Sequence, residues 1–553
     1  MPEDTIELSS FRTKVAPEYA LELGNQPETG DRKAFPNSVS GGGYTSSNNT
    51  NGKQRMERKF GSLSILALSV TLLASWESIA RYVGSHQCLS CRGFAPGLMN
   101  GGPAALVWGM VLSITGTMAL ALSLGEMASI CPLAGAQYHW TALLAPPRIR
   151  AFSTWMQGWI TVFGWQAAVT SISFLVATQI QGLIILNRPE YEPQRWHGTL
   201  LMWAVMLFSL SINVFAVRIL PFLQLLGGLM HVVFFIVLIV PLVLLSPRST
   251  PEFVFTELLN QGGWSSDGVS WCLGMLTVTY CFTGFDGAIH MSEEVHNPTT
   301  VVPRILIQTI LINGTLAFGF ILVMLFCIGD IHSILHSPTG FPIIAMFYQA
   351  TGSVHATTAM QSVITLIGSV SNIAVVASVS RLTWAFARDG GLPYSKFFAH
   401  VDGKYHTPLR AICLVCFTVV LLSLVNIAST TALSAILALT TSSLFISYII
   451  PVVMMARKRI RKEPIAFGPF ALGRWGLAIN IYAIVFGVFI CTFVSFPTEI
   501  PVTATNMNYS GPVFLGVSVL LICDWAVRGR RRFTGPLKEL LTQGAREMYV
   551  SSS

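Results

Sequence analysis

The sequence predicts an all-α polytopic membrane protein with twelve transmembrane helices. Of its 553 residues 52% are hydrophobic and only 11% are charged, and the mean hydropathy is +0.59. The apolar residues gather into runs close to the ~20 that a helix needs to cross a hydrocarbon core. Twelve such runs start near Gly61, Gly102, Ser153, Gly198, Leu220, Ser270, Ile305, Thr358, Leu409, Thr430, Trp475 and Ser510. An even number of crossings returns both termini to one side.

The 34 Lys and Arg set the orientation. Loops after spans 2, 4, 6, 8 and 10 hold 14 of them, including Arg148, Arg304, Arg388 and Arg457-Lys458-Arg459, whereas the opposite loops hold five, Arg81, Arg92, Arg188, Arg195 and Arg248. Basic residues collect in cytoplasmic loops, so both tails are expected in the cytoplasm. The net charge of +8 is then largely a topology signal, and basic residues at membrane edges offer no surface for nucleic acid.

Residues 1–59 are a different material, rich in Gly, Ser, Asn and Pro with no apolar run. Such composition cannot bury enough apolar surface to fold, and a disordered cytoplasmic tail is expected; residues 529–553 are expected to be a cytoplasmic C-terminal tail. With no short apolar segment followed by a cleavage site, the first span itself is expected to direct insertion. Eight of the 10 cysteines lie in or beside spans and read as small apolar residues. Cys88 and Cys91 fall in the external loop after span 1, where a local disulfide can form; two unpaired thiols are the alternative. Among the Asn-x-Ser/Thr sequons, Asn508-Tyr509-Ser510 lies outside, beside span 12, and is the candidate for glycosylation. No nucleophile triad order, phosphate loop or metal-binding motif is present, so neither enzymatic chemistry nor a cofactor or metal is expected.

The most informative stretch runs from Ser270 to Met291. An apolar run of membrane length is broken in its second half by Thr283-Gly284-Phe285-Asp286-Gly287 and ends on His290, Glu293 and Glu294. Inside a bilayer a helix gives up backbone bonds only where protein or a watery cavity satisfies them, and an ionisable residue there is rare. A broken helix carrying a carboxylate points to a transport site. Span 1 supplies a partner. Its run SLSILALSVTLLA is interrupted by Ser75-Trp76-Glu77-Ser78, ~22 Å along a helix that rises ~1.5 Å per residue.

Four stretches carry a resemblance. They are Ala74 to Ser78 in span 1, LSLGEMASICPLAGAQYHWTALLAP (Leu122 to Pro146), GAIHMSEEVHNPTTVVPR (Gly287 to Arg304) and SRLTWAFARDGGLPYSKFF (Ser380 to Phe398). Over roughly Lys59 to Arg528 the chain resembles the amino acid-polyamine-organocation permeases, most closely their fungal amino-acid, choline and 4-aminobutyrate branch. The resemblance implies a permease domain over 60–528 built as a five-plus-five inverted repeat, about 60–245 and about 270–457, with two extra helices at about 475–528. It also implies that spans 1 and 6 unwind at the midplane around substrate. Here the chain departs from the superfamily, because Ser75-Trp76-Glu77 replaces the usual glycine-rich break of span 1.

That departure is the best clue to substrate. The exposed amides of such a break usually face a substrate carboxylate; a Glu beside them repels a carboxylate and welcomes a cation. Trp76, Trp165 and Phe285 are placed to complete a cation site, a ring face holding a desolvated ammonium by about 2 kcal/mol. The candidate substrate-binding set is Ser75, Trp76, Glu77, Trp165, Gln166, Thr283, Gly284, Phe285 and Asp286. Three of them have a plainer alternative: Glu77 caps a helix end or pairs with Arg81, Asp286 caps the second half-helix, and Trp165 packs in the core. Trp155 and Trp159 read as interfacial belt residues, and Glu126 as a structural anchor for the inner loop.

Four residues are coupling candidates. His231, near the middle of span 5, suits a proton, while Ser369, Ser371 and Asn372 in span 8 stand where sodium-coupled relatives place ion ligands. The alternatives are a satisfied buried histidine and interhelical hydrogen bonds. Resemblance to the fungal branch favours a proton. The function expected is secondary transport of a small nitrogenous metabolite by alternating access, at the cell membrane or an internal one such as the vacuole. An exporter of an amine-bearing secondary metabolite or alkaloid, and a non-transporting nutrient receptor, are the alternatives.

Overall fold

The computed structural model describes residues 56–81, 94–329, 334, 339–504, 506–533 and 535–536. Cys88, Cys91 and most of the two tails lie outside the described residues. Twelve helices are long and apolar enough to cross a membrane: Ser62–Ala80, Gly102–Ile130, Arg150–Asn187, Arg195–Phe215, Val217–Leu245, Asp267–Glu294, Pro298–Phe326, Val354–Arg388, Leu409–Ala428, Thr430–Ile460, Gly473–Phe493 and Ser510–Arg532. They are numbered spans 1 to 12. Among the described residues the extended pairing is limited to two isolated bridges, Phe60 with Val295 and Asn100 with Asn260. Helix is what a bilayer allows, because every backbone group is satisfied within its own segment.

Enclosure ranks the spans. In spans 6 and 1, 83% and 78% of the central residues are buried, against 17% in span 5 and 11% in span 12. The broken helices therefore form the heart of the bundle, and the polar groups freed by the breaks meet protein rather than lipid. Span 1 packs on spans 5 and 7, span 2 on spans 6, 7 and 11, and span 3 on spans 8 and 10. Outside that core Leu207 and Phe215 of span 4, Phe222, Leu229 and Leu244 of span 5, and Leu515, Leu520 and Val527 of span 12 are exposed. On a protein that crosses a bilayer such apolar faces meet acyl chains.

Two structural residues differ in part from their sequence reading. Trp155 is buried rather than interfacial, with its ring 5.3 Å from that of Phe533 and 5.8 Å from that of Trp525. The end of span 12 packs against it, a contact no local pattern encodes. Glu126 is structural, but what it anchors is the link between spans 10 and 11. Both its oxygens accept from Arg459 Nη2 at 2.7 Å, and Oε1 accepts from the Leu472 amide at 2.8 Å.

Candidate functional site

Span 1 breaks at a single residue. Half-helix 1a (Ser62–Leu73) ends at Ala74, whose φ of 43° and ψ of 52° are left-handed, and half-helix 1b (Ser75–Arg81) resumes at once. A non-glycine residue in that region is uncommon, and neighbouring spans hold it there. Asn313 of span 7 accepts the Ser75 amide at 3.1 Å, Ser371 of span 8 donates to the Leu72 carbonyl at 3.2 Å, and Ser75 Oγ donates to the Cys281 carbonyl at 2.8 Å. The last bond ties one break to the other.

Half-helix 1b aims Glu77 at span 5. Glu77 Oε1 lies 2.6 Å from His231 Nδ1, and both side chains are fully buried. Trp76 closes the site from one side: its indole nitrogen donates to the His231 carbonyl at 3.2 Å, and its ring lies 5.2 Å from Phe320 and 5.9 Å from Phe235. Two atoms of the pair, Glu77 Oε2 and His231 Nε2, have no hydrogen-bond partner. In a fully buried carboxylate an unfilled acceptor is costly, and it marks where a donor belongs. The Arg81 side chain lies outside the described residues.

Span 6 breaks more widely. Helix 6a (Asp267–Tyr280) stops, Cys281 to Gly284 turn, and segment 6b (Phe285–Glu294) continues as a 3-10 helix. Gly284 has φ +93°, and a Cβ there would stand 3.1 Å from the Trp165 ring, so conformation and space both require glycine. A ten-residue 3-10 run is long, since its hydrogen-bond geometry is poor and runs beyond three or four residues are uncommon.

Asp286 opens segment 6b and is fully buried. Its Oδ1 accepts from the Tyr448 hydroxyl at 2.5 Å, and its Oδ2 accepts from Gln137 Nε2 at 2.5 Å and from Trp165 Nε1 at 3.3 Å. His290, four residues on, has Nε2 3.4 Å from Oδ2. The Phe285 ring sits 4.9 Å from that of Tyr448. Trp76 and Phe285 thus belong to two aromatic groups, and the described contacts do not join Glu77 and Asp286 in one cage. Thr283 Oγ1 has no partner at the turn.

Below the pair, segment 6b grips the loop after span 2. His290 Nδ1 meets the Ala134 carbonyl at 2.8 Å, while the Ala134 amide donates to Glu293 at 3.1 Å. Glu293 also takes Arg388 at 2.9 Å, and Glu294 takes the buried Arg381 at 2.7 Å. The Glu294 carbonyl accepts the Lys59 and Phe60 amides at 3.0 Å, fastening the chain that enters span 1. Just beyond span 8, Asp389 accepts from the Tyr138 hydroxyl at 2.8 Å and stands 3.2 Å from His139. Burial raises the Asp389 carboxyl, but the bonds from His139 and Tyr138 and the His139 and Arg388 charges prevail and hold it below the usual range.

The whole arrangement is closed. Ser75, Trp76, Glu77, Phe285 and Asp286 expose 1% or less of their surface, so a ligand reaches them only after the spans move. A cavity of about 290 Å³ between spans 10 and 11 is lined by Ile446, Ile449, Ile450, Val488, Cys491 and Thr492, an apolar crevice away from both breaks.

The family model described as amino acid permease matches residues 60–519. The chain belongs to that family. It is similar to the choline transporter of Saccharomyces cerevisiae, 31% identical over 484 residues that cover 87% of this chain and 83% of that one. It is also similar to amino-acid permease 2 of Neurospora crassa, 28% identical over 96% of this chain and 95% of the relative. The GABA-specific permease of Saccharomyces cerevisiae is 27% identical over 88% and 84%. The protein is accordingly a multi-pass membrane permease and not an enzyme.

Within this permease the other candidate residues fall as follows. Gln166 donates to the Val415 carbonyl of span 9 at 2.8 Å, so its amide is spent between spans 3 and 9. Asn372 bridges Ser173 at 3.1 Å and Ser209 at 2.9 Å, and Ser369 donates to the Thr365 carbonyl at 2.9 Å. Asn508 Nδ2, the atom a glycan would occupy, donates to the Val494 and Phe496 carbonyls at 2.7 and 3.0 Å. Gln137, His290, Asn313 and Tyr448 were not among the candidates. His290 was visible as the end of the broken run. Asn313 and Tyr448 were polar residues in apolar spans, a signal too common to choose them.

Proposed function

We propose that this permease moves a small nitrogenous metabolite bearing a positive group, by alternating access and driven by a proton, across the cell membrane or an internal one such as the vacuole, with both tails cytoplasmic. One observation carries the substrate class: Glu77 is fully buried at the break of span 1 with Oε2 unpartnered. An ammonium or quaternary nitrogen beside Oε2 supplies the missing partner, and the Trp76 ring is adjacent in sequence to face it. His231 on the other oxygen positions the carboxylate. Asp286, whose oxygens already receive three protein donors, shapes the opposite wall rather than holding substrate. The relatives' names, choline, amino acid and GABA, span cationic and zwitterionic amines and support the class.

A proton is favoured over sodium because a histidine stands beside the buried carboxylate of each break, while Asn372 Oδ1, the carbonyl oxygen among Ser369, Ser371 and Asn372, already accepts from Ser173. Uptake competition in vesicles reconstituted with the full chain tests the substrate class, with choline, 4-aminobutyrate, arginine and a neutral amino acid as competitors. Cationic compounds should compete best. Competition by the neutral amino acid alone removes the role given to Glu77, and binding without any flux makes the chain a receptor.

A further inference from the structure

Each of the two breaks sets a histidine beside a carboxylate, and the pair on span 6 has a feature that the pair on span 1 lacks. The Ala134 carbonyl can only accept, so His290 Nδ1, 2.8 Å away, carries a hydrogen. That fixes the tautomer. A neutral imidazole then has a bare lone pair on Nε2, and Nε2 is the atom facing Asp286 Oδ2 at 3.4 Å. His290 Nε2 has no hydrogen-bond partner. Asp286, for its part, is placed to accept: Tyr448, Gln137 and Trp165 all donate to its carboxylate. Tyr448 is oriented to donate because its oxygen already accepts the Gly284 amide at 3.2 Å. A lone pair is thus apposed to an anion with both groups fully buried. One proton on Nε2 turns repulsion into a charge-assisted contact and cancels the net charge of the pair.

From this we propose that Asp286 and His290 form the binding site of the driving proton, held on His290 Nε2 against Asp286 Oδ2. The proposal rests on the proton-coupled reading and names the group that takes the proton. Without the proton the closed state encloses an uncompensated anion, which a low-dielectric interior disfavours strongly. Closure and reorientation therefore require the site to be loaded, and opening to the other side lets water draw the proton from Nε2. No bond other than N–H forms or breaks. The site also touches what must move, since the Nδ1 bond and Glu293 grip Ala134 from segment 6b.

The other charged groups around the pair are closed among themselves. Tyr448 of span 10 is the titratable group that another element brings to Asp286, and span 3 and the loop after span 2 contribute Trp165 and Gln137. On the same segment Glu293 and Glu294 are closed by Arg388 and Arg381 of span 8. Glu126 of span 2 is closed by Arg459. Glu77 and His231 pair with each other, between spans 1 and 5.

The test uses the full chain in vesicles, with radiolabelled choline, or whichever of choline, arginine and 4-aminobutyrate the wild type accumulates. His290→Gln keeps a donor for the Ala134 carbonyl and removes the titrating nitrogen. It should lose accumulation driven by an imposed pH gradient and exchange of the same compound between equal pools alike, each by tenfold or more, because the unloaded anion blocks closure, while binding of that compound to the purified variant stays within about threefold of wild type. Tyr448→Phe removes one donor from the anion and strengthens the hold on the proton. It should shift the pH profile of exchange upward, whereas a merely structural tyrosine would lower exchange equally at every pH. Gradient-driven accumulation that survives in His290→Gln overturns the site, as does an unshifted profile in Tyr448→Phe if His290→Gln is too unstable to purify. A wild type that ignores the pH gradient overturns the proton-coupled reading itself, and this site with it.

Discussion

The break in span 1 is one residue wide and borrows its histidine, whereas the break in span 6 is wide and carries its own histidine and glycine. Span 1 takes its histidine from span 5, its amide acceptor from Asn313 and its carbonyl donor from Ser371. Span 6 carries its own histidine on segment 6b and its own glycine at the turn. The outcome at the carboxylates is opposite. Glu77 keeps one oxygen without a partner, while Asp286 has donors on both. An unfilled acceptor is suited to a ligand that comes and goes, and a filled one to a fixed charge that only a proton can neutralise. The same pair of residue types thus stands in two different settings, decided by what surrounds them.

Removing the charge at the unfilled acceptor should have the largest effect. Glu77→Gln keeps the shape, loses the anion, and should weaken a cationic substrate by about 2 kcal/mol or more, roughly 30-fold. The measurement is inhibition of uptake by choline or arginine, at normal surface expression. If affinity is unchanged, or if expression and transport fall together, Glu77 is structural. A loss of that size in Asp286→Asn but not in Glu77→Gln would reverse the assignment of the two breaks.

Next comes the glycine of the wide break. Gly284→Ala places a Cβ 3.1 Å from Trp165 at φ +93°, and strain of that kind costs about 1–3 kcal/mol. Purified protein should melt several degrees lower, with transport reduced because Trp165 and Asp286 shift together. A variant with wild-type melting and transport would mean that the turn has other conformations available.

Asn313→Leu probes what the narrow break borrows. It leaves the Ser75 amide buried without an acceptor, at a cost of about 1–3 kcal/mol, and it also removes the weaker Nδ2 contact to the Val70 carbonyl at 3.4 Å. Thermal stability in detergent checks it. An unaffected melting point would show that water or another group takes over the amide.

Periodicity and length made the twelve spans legible: four starts, Gly102, Leu409, Thr430 and Ser510, coincide with those found, and the largest difference is Ile305 against Pro298. Composition along a helix is one-dimensional, and hydrocarbon imposes it span by span. Partners are another matter. His231 lies 154 residues from Glu77, and Gln137 and Tyr448 lie 149 and 162 residues from Asp286. Which polar side chain meets which depends on the rotation of each helix about its axis, which packing of all its neighbours sets. The motifs around Leu122 to Pro146 and Gly287 to Arg304 do touch, through Ala134, His290 and Glu293. Each motif was legible; their contact was not. Gln166 shows the converse, a polar residue beside Trp165 whose amide turns to span 9.

The smallest effect expected separates the two breaks most directly. Ala74 holds a left-handed conformation, φ 43° and ψ 52°, that glycine adopts freely. An L-residue there carries a penalty of about 1–2 kcal/mol, which Ala74→Gly relieves. Glycine also enlarges the freedom of the unfolded chain, which returns about 0.4–1 kcal/mol of that gain. The net change should be a stabilisation of no more than about 1.6 kcal/mol, opposite in sign to Gly284→Ala. Paired melting curves of the two variants read it. If Ala74→Gly lowers the melting point as much as Gly284→Ala does, the alanine methyl packs against something that the backbone strain does not outweigh. The narrow break would then be held by side-chain packing at Ala74 as well as by the bonds from Asn313, Ser371 and Ser75.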